Sequence, residues 1–458
     1  MSLILRNVEI DGRAGLDVRL EAGRIAAIGP GLPRTPDEID GRGGALIPGL
    51  CDHHIHLLGL AARADSVTLE DVASPAAFAA CIAAATAARP AGAWVRVLGY
   101  HEAMAGDLTR AELDALAPRH RLRVQHQTGS LWILNSLALA ALGAGDDPPN
   151  LERDTGRLWR GDAWLRARIG VQPPPLGPVG ARLAACGVTA VTDASVTTDA
   201  SAAALLAEAH RCGDLPQRLT LMSGGPLVAP ADAAFAVGPL KVLPDDHSLP
   251  EFDDFAARIA AARAQGRAVA VHCVTAAELA LTLAVFDHAG ARAGDRVEHG
   301  GVIPPAAIGQ LRRLGLTVVT QPAFIRERGD RYAAEVAPED QPDLYRSRSL
   351  IEAGVPVAAS SDAPYATADP WVGVAAAVDR RSAGGLTLGP RERLTPQAAL
   401  ALYLDDPAAP GRTPRRVAQG EAADLCLLAA PLAEVLAAPA AARVRATFVA
   451  GRAVHLAP

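Results

Sequence analysis

At 458 residues the chain exceeds one small domain and has room for a large domain of about 250 residues plus an accessory one. Half of its residues are hydrophobic and only 4% are aromatic, a balance that suits packed alanine-rich helices and excludes a disordered chain. The net charge of -6 comes without a basic block or an acidic tail, which argues against nucleic acid or an anionic membrane as partner and leaves a small molecule.

No uninterrupted run of about 18 apolar residues is present, so no transmembrane helix is expected. Arg6, Glu9 and Asp11 stand where a signal peptide would carry its apolar core, so the expected location is cytoplasmic. Six cysteines, Cys51, Cys81, Cys186, Cys212, Cys273 and Cys426, are scattered without a CxxC pair and read as reduced thiols used in packing.

In chain order, Leu3 to Ile28 reads as short strands separated by Asp-Gly and Ala-Gly turns. Three similar segments lie at the far end, from Asp424 to His455. Neither group can bury a face alone, so both termini are expected to join in one sandwich, residues 1–44 with 411–458. Between them, strands and helices alternate as in a (β/α)8 barrel spanning 45–410. Its eight strands are predicted at Ala45 to Leu57, Thr189 to Ser195, Arg218 to Ser223, Leu240 to Leu243, Ala268 to Val274, Arg296 to Val302, Leu316 to Gln321 and Val355 to Ser361. Predicted helices include Thr197 to Arg211, Phe252 to Gln265, Ala276 to His288, Pro305 to Leu314, Tyr345 to Ala353 and one opening at Thr395-Pro396.

The first strand is followed by an α/β insertion, residues 59–187. Strands are predicted there at Trp94 to Leu98 and Leu122 to Gln125, and helices at Thr109 to Leu116 and Trp132 to Leu142. Arg153 to Pro178, with Pro173-Pro174-Pro175, reads as a return loop. Because the insertion leaves the carboxyl end of a barrel strand, it is expected on the catalytic face, where it shapes a substrate pocket.

The stretch Ile47-Pro48-Gly49-Leu50-Cys51-Asp52-His53-His54-Ile55-His56 carries the strongest chemical signal. Residues i and i+2 of a strand share a face, so His54 and His56 point together and can share a metal ion. Lys241, His272, His299 and Asp362 supply the rest of a two-metal site. Lys241 to His272 spans 31 residues and His272 to His299 spans 27, each one β/α unit, while the 63 residues to Asp362 make two. Each candidate thus falls at the carboxyl end of its strand, where barrel active sites form.

Of 44 basic residues, Lys241 is the single lysine. Arginine serves everywhere that surface charge or ion pairing is needed, so the exception asks for chemistry a guanidinium cannot perform. A lysine amine can lose its proton through burial and nearby cations, and then acts as a nucleophile.

Pro-Gly-x-x-Asp-x-His-x-His on the first strand, the lysine on the fourth, single histidines on the fifth and sixth, and Ser361-Asp362-Ala363-Pro364 on the eighth together resemble the metal-dependent amidohydrolase superfamily. Leu131-Trp132-Ile133-Leu134-Asn135-Ser136 and the Ser-Asp-x-Pro ending are similar to its YtcJ-like branch, amidohydrolase family 3. Relatives in that branch commonly carry Gly-His-Ala where this chain has Thr128-Gly129-Ser130, and Asp-Gly near Asp245-Asp246-His247. The resemblance implies two divalent ions, usually zinc. His54 and His56 would hold the more buried ion and His272 and His299 the more exposed one. Lys241, carboxylated by carbon dioxide, would bridge them, and Asp362 would bind the buried ion and hydrogen-bond the shared hydroxide. It is also compatible with a homodimer.

The expected reaction is hydrolysis of an amide-type C–N bond of a small molecule (N-acyl, N-formyl or cyclic amide) by a metal-bound hydroxide, with Asp362 moving the proton. Lactone or phosphate-ester hydrolysis on the same site is the alternative within enzymes. A metal-free barrel serving as a binding scaffold is the alternative outside them. Candidate substrate contacts are Tyr100, His101, Glu102, His126 and Gln127 in the insertion, and Arg326, Arg328 and Arg331 in a loop after the seventh strand.

Overall fold

Eight parallel strands form one continuous sheet in sequence order: Leu50–Ile55 (β1), Val188–Asp193 (β2), Arg218–Ser223 (β3), Ala236–Val242 (β4), Val269–Cys273 (β5), Arg296–His299 (β6), Thr317–Thr320 (β7) and Val357–Ala359 (β8). Two backbone bonds just beyond β8 join its exit to β1: Asp362 N–H donates to His54 O and His56 N–H to Ala363 O, both at 2.8 Å. The strands are buried along nearly their whole length, as expected where one face meets helices and the other lines a barrel interior. The computed structural model describes residues 2–69, 72–143, 145–170, 174–244 and 249–457. Asp245, Asp246 and His247, noted above for their departure from the branch pattern, lie outside the described residues, as does Pro173. Among the described residues no helix is long and apolar enough to cross a membrane.

The stretch expected as one first strand is two. Leu46–Pro48 pairs antiparallel with Leu425–Leu428 in a terminal sheet, and only Leu50–Ile55 belongs to the barrel. Gly49 makes the transition: a Cβ there would stand 2.1 Å from Thr189 Cγ2, so no larger residue fits between the two sheets. The terminal strands make two four-stranded sheets, one from Arg24–Gly29, Arg13–Glu21, Ser2–Ile10 and Asp37–Asp40, the other from Arg452–Leu456, Val444–Val449, Leu425–Leu428 and Leu46–Pro48. Leu5, Val8, Val18, Leu46, Leu427 and Phe448 share one buried cluster between them.

The chain divides into two compact units, Met1–Leu57 with Leu176–Pro458, and Leu58–Pro175. The second contains a six-stranded sheet in the order Leu151–Glu152, Arg157–Trp159, Leu131–Leu134, Arg121–His126, Trp94–Tyr100, Val67–Thr68. Phe78, Ile82 and Leu113 pack in one of its buried clusters, and Trp132, Leu139 and Leu165 in the other.

Two expectations for this region are corrected. Trp132 to Leu142 is not one helix: Leu131–Leu134 is a central strand, and the helix is only Ser136–Ala141. A short apolar run has no decisive period of its own, and Asn135 ends the strand by capping the helix, its side chain accepting from Ala138 N–H at 2.9 Å. The supposed return loop contains the strand Arg157–Trp159 and the helix Asp162–Ile169, because pairing with Leu131–Leu134 recruits a segment too short to show alternation. In the barrel unit, the residues after β7 form a helix, Ala323–Glu335, where a loop was expected. The helix at Tyr345 to Ala353 shortens to Arg348–Glu352. Thr395 does cap the last predicted helix, accepting from Ala398 N–H at 3.2 Å.

Candidate metal centre

Five strand ends bring the six candidate side chains to one place. His54 lies within β1 and His56 just past it, their ring centroids 5.3 Å apart. His299 ends β6, with its ring 4.8 Å from that of His54 and 4.4 Å from that of His272 on β5. Asp362 follows β8, and its Oδ1 stands 3.4 Å from His54 Nε2 and 3.1 Å from His56 Nε2. Donor atoms of His54, His56 and Asp362 lie within 4.8 Å of one another, close enough to hold one ion. Lys241, the next-to-last residue of β4, is 3% exposed, and its field reaches His54, His272 and His299.

Two of these residues pay for their position in backbone strain. His299 has φ 69° and Asp362 has φ 55°, left-handed values that cost a non-glycine residue about 1–2 kcal/mol and turn each side chain off its strand.

The electrostatics prepare the cluster for cations. Burial, and then the charge of Lys241, push His272 down to about 4. Burial likewise holds His54 and His299 well below the ordinary histidine value, so these imidazoles are neutral and offer lone pairs. Lys241 is also pushed down by burial, which favours a free amine. Its Nζ and Asp362 Oδ1 have no hydrogen-bond partner, although both are buried. Neutral imidazoles, a carboxylate and an unpartnered amine facing the same space fit divalent ions.

A second layer holds the rings. His54 Nδ1 bonds the fully buried Glu298, which also pairs with Arg296, and Arg296 Nη2 donates to His53 O at 2.9 Å. His299 Nδ1 donates to Gln321 Oε1 at 2.9 Å, and Gln321 is tied to Ser360 Oγ at 2.9 Å. His56 Nδ1 meets Ser195 Oγ at 2.9 Å. Nδ1 is therefore engaged on all three rings, and Nε2 is the atom left for a ligand. Asp52 joins β1 to the turn after β8, accepting from Ser361 N–H at 3.0 Å and from the Ser361 hydroxyl. Burial raises its carboxyl to about 6 even though those bonds act to lower it.

Sequence reasoning missed Glu298, Gln321, Ser195 and Arg296. One signal was present: Arg296 and Glu298 are two apart on a buried strand, so they share a face and must neutralise each other there. Gln321 and Ser195 left no such trace. Buried Cys273 donates to Thr282 Oγ1 at 3.3 Å, and burial raises its thiol to about 12, in keeping with a packing role.

The other candidates fall in different places. Tyr100 is a core residue of the second unit, 5.3 Å from Phe78 by ring centroid, and its hydroxyl donates to Gly106 O. His101 caps the short helix Glu102–Ala105, accepting from Ala103 N–H at 3.1 Å. His126 bonds Thr128 Oγ1 at 2.8 Å and Glu102 at 3.2 Å, and the backbone N–H of Gln127 donates to Tyr100 O at 2.8 Å. In the barrel unit Arg326 is exposed, and Arg331 pairs with Glu335 at 2.7 Å. Arg328 alone of the three turns to the loop after β8, donating to Tyr365 O at 2.7 Å.

Residues 37–455 match the family model described as "Amidohydrolase family". The chain is 25% identical to the N-substituted formamide deformylase of Arthrobacter pascens, over 88% of this chain and 87% of the relative. It is 24% identical to the putative amidohydrolase YtcJ of Bacillus subtilis (strain 168), over 87% and 86% of the two chains. The crystal structure of an uncharacterized metal-dependent hydrolase from Pyrococcus horikoshii OT3 superposes with a TM-score of 0.72 at 20% identity, covering 88% of this chain and 92% of that one.

Proposed function

The chain belongs to the amidohydrolase family, hydrolases of carbon–nitrogen bonds, and from that premise we propose that it cleaves an amide-type C–N bond of a small molecule, in an N-acyl, N-formyl or cyclic amide. The relative named as a deformylase of N-substituted formamides supports that bond type. The observation that carries the reading is the buried, unpartnered Lys241 Nζ among neutral histidines and Asp362.

His54, His56 and Asp362 would hold one divalent ion, and His272 and His299 a second. Lys241 would lie between them as a carbamate, formed when its neutral amine adds to carbon dioxide and releases one proton. The amine offers a single nitrogen, whereas the carbamate offers two oxygens and a negative charge to two cations. When bound, the ions, best matched as zinc by imidazole and carboxylate donors, supply Lewis acidity and a more acidic water.

The chain's own residues do the rest. Asp362 Oδ1, buried and without a hydrogen bond, takes a proton from the attacking water and returns it to the leaving nitrogen. Glu298, Gln321 and Ser195 fix the rings so that Nε2 faces the site in each. The left-handed turns at His299 and Asp362 hold these two side chains in place before substrate arrives.

The test is a substrate panel of N-acyl, N-formyl, cyclic imide, lactone and phosphotriester compounds, run with elemental analysis. Turnover of amides with about two zinc ions per chain is expected. Turnover confined to lactones or phosphotriesters would replace the proposed bond type, and a fully active protein holding one ion would remove the bridged pair.

A further inference from the structure

Beside the proposed metal centre stands a cation that the mechanism does not use. Arg328 lies with its guanidinium carbon 4.5 Å from the centroid of the Phe324 ring, and its Nη2 donates to Tyr365 O at 2.7 Å. Tyr365 belongs to the site: its N–H donates to Asp362 O at 2.9 Å, and its ring meets that of His56 edge-on at 5.7 Å. Tyr365 is 59% exposed, so aromatic surface is open to solvent next to the histidines. Tyr332 and Tyr345 form the neighbouring wall, with hydroxyls 3.1 Å apart and rings stacked at 5.7 Å. Burial and then Tyr332 raise the Tyr345 hydroxyl, which also lies within the fields of both Asp362 and Arg328.

On the same helix Arg331 pairs with Glu335, whereas no carboxylate among the described residues pairs with Arg328; Arg326, also without an ion pair there, is exposed to solvent. A half-buried guanidinium with aromatic walls, bonded to the Tyr365 carbonyl and to the Tyr332 hydroxyl, still has donors to offer, and a carboxylate is the group its planar fork matches.

We propose that Arg328, with Tyr365 beside it, binds a carboxylate of the substrate, so that the substrate class is N-formyl or N-acyl amino acids rather than neutral amides. This deepens the C–N hydrolase reading and rests on it for the bond cleaved. The charge logic is consistent: an anion is drawn to a site whose proposed ions are cationic, and Arg328 fixes which end of the substrate faces away from the reacting carbonyl.

The experiment compares matched pairs that differ only in the carboxylate: N-formylphenylalanine with N-formylphenethylamine, and N-acetylleucine with N-acetylisopentylamine. It adds calorimetric binding of 3-phenylpropanoate, which has no amide, to the metal-loaded protein. The acid of each pair is expected to be preferred by about tenfold or more in kcat/KM, the scale of one charged hydrogen bond, with most of the difference in KM. Arg328→Met should collapse that ratio and weaken 3-phenylpropanoate, Arg328→Lys should keep part of both, and Arg313→Met, at an exposed pair with Asp287, should keep the wild-type ratio. If no amide is hydrolysed but 3-phenylpropanoate binds in an Arg328-dependent way, the carboxylate subsite stands and the C–N reading fails. If Arg328→Met leaves both the preference and the binding unchanged, or if neither exists in the wild type, the subsite is overturned.

Discussion

The N–H of Asp362 donates to the carbonyl of His54 at 2.8 Å, so one of the bonds that join β8 to β1 also sets the spacing of two proposed ligands. Closing the barrel and assembling the proposed metal centre are one structural event. The left-handed φ of Asp362 belongs to the same turn, where it directs the carboxylate towards both β1 histidines.

Asp362→Asn keeps the size of the side chain and the backbone bond but removes the basic oxygen. Turnover should fall by about 10²–10⁴-fold, the range of a general acid–base group, with a smaller loss of metal. His54→Ala and His56→Ala should lose metal first. Parallel kinetics and elemental analysis separate these outcomes, and equal losses in all three variants would deny Asp362 its proton-transfer role.

Lys241→Arg should be at least about a hundredfold less active, because a permanent positive charge would stand among cations. Lys241→Ala opens space for a small carboxylic acid, so added formate, acetate or propionate should restore part of its activity. Regeneration of metal-free wild-type protein should require bicarbonate together with metal. An active Lys241→Arg protein with normal metal content would rule out the carbamate.

Glu298→Gln retains shape but weakens the charged hold on His54 Nδ1 and leaves Arg296 without its carboxylate. Metal affinity, measured by chelator competition, should drop about 10–100-fold. Unchanged affinity would reduce Glu298 to a partner for Arg296 alone.

Gly49→Ala should destabilise the protein by about 1–3 kcal/mol in denaturant unfolding, since its Cβ would collide with Thr189. Gly309→Ala is the control. That glycine sits in the helix Pro305–Leu314 with open space around its Cβ, and alanine there should stabilise by about 1 kcal/mol.

The sequence by itself determined the barrel and the candidate ligands. Period-two placement on a strand puts His54 and His56 on one face, and the β/α spacing carries Lys241, His272, His299 and Asp362 to successive strand ends. Both are local rules that need no knowledge of distant partners. Arginine's dominance of the basic residues made Lys241 visible for the same reason.

Tertiary structure decided what depends on a neighbour far along the chain. Leu131–Leu134 became a strand because Arg121–His126 and Arg157–Trp159 lie on either side of it, overriding an apolar run that either period fits. Gln321 and Ser195 gained roles because the ring brings β7 beside β6 and β2 beside β1, within 2.9 Å of a histidine in each case. Of three arginines in six residues, only Arg328 reaches the loop after β8. Helical geometry turns Arg326 to solvent and pairs Arg331 with Glu335 one turn on, a distinction that composition and spacing do not contain.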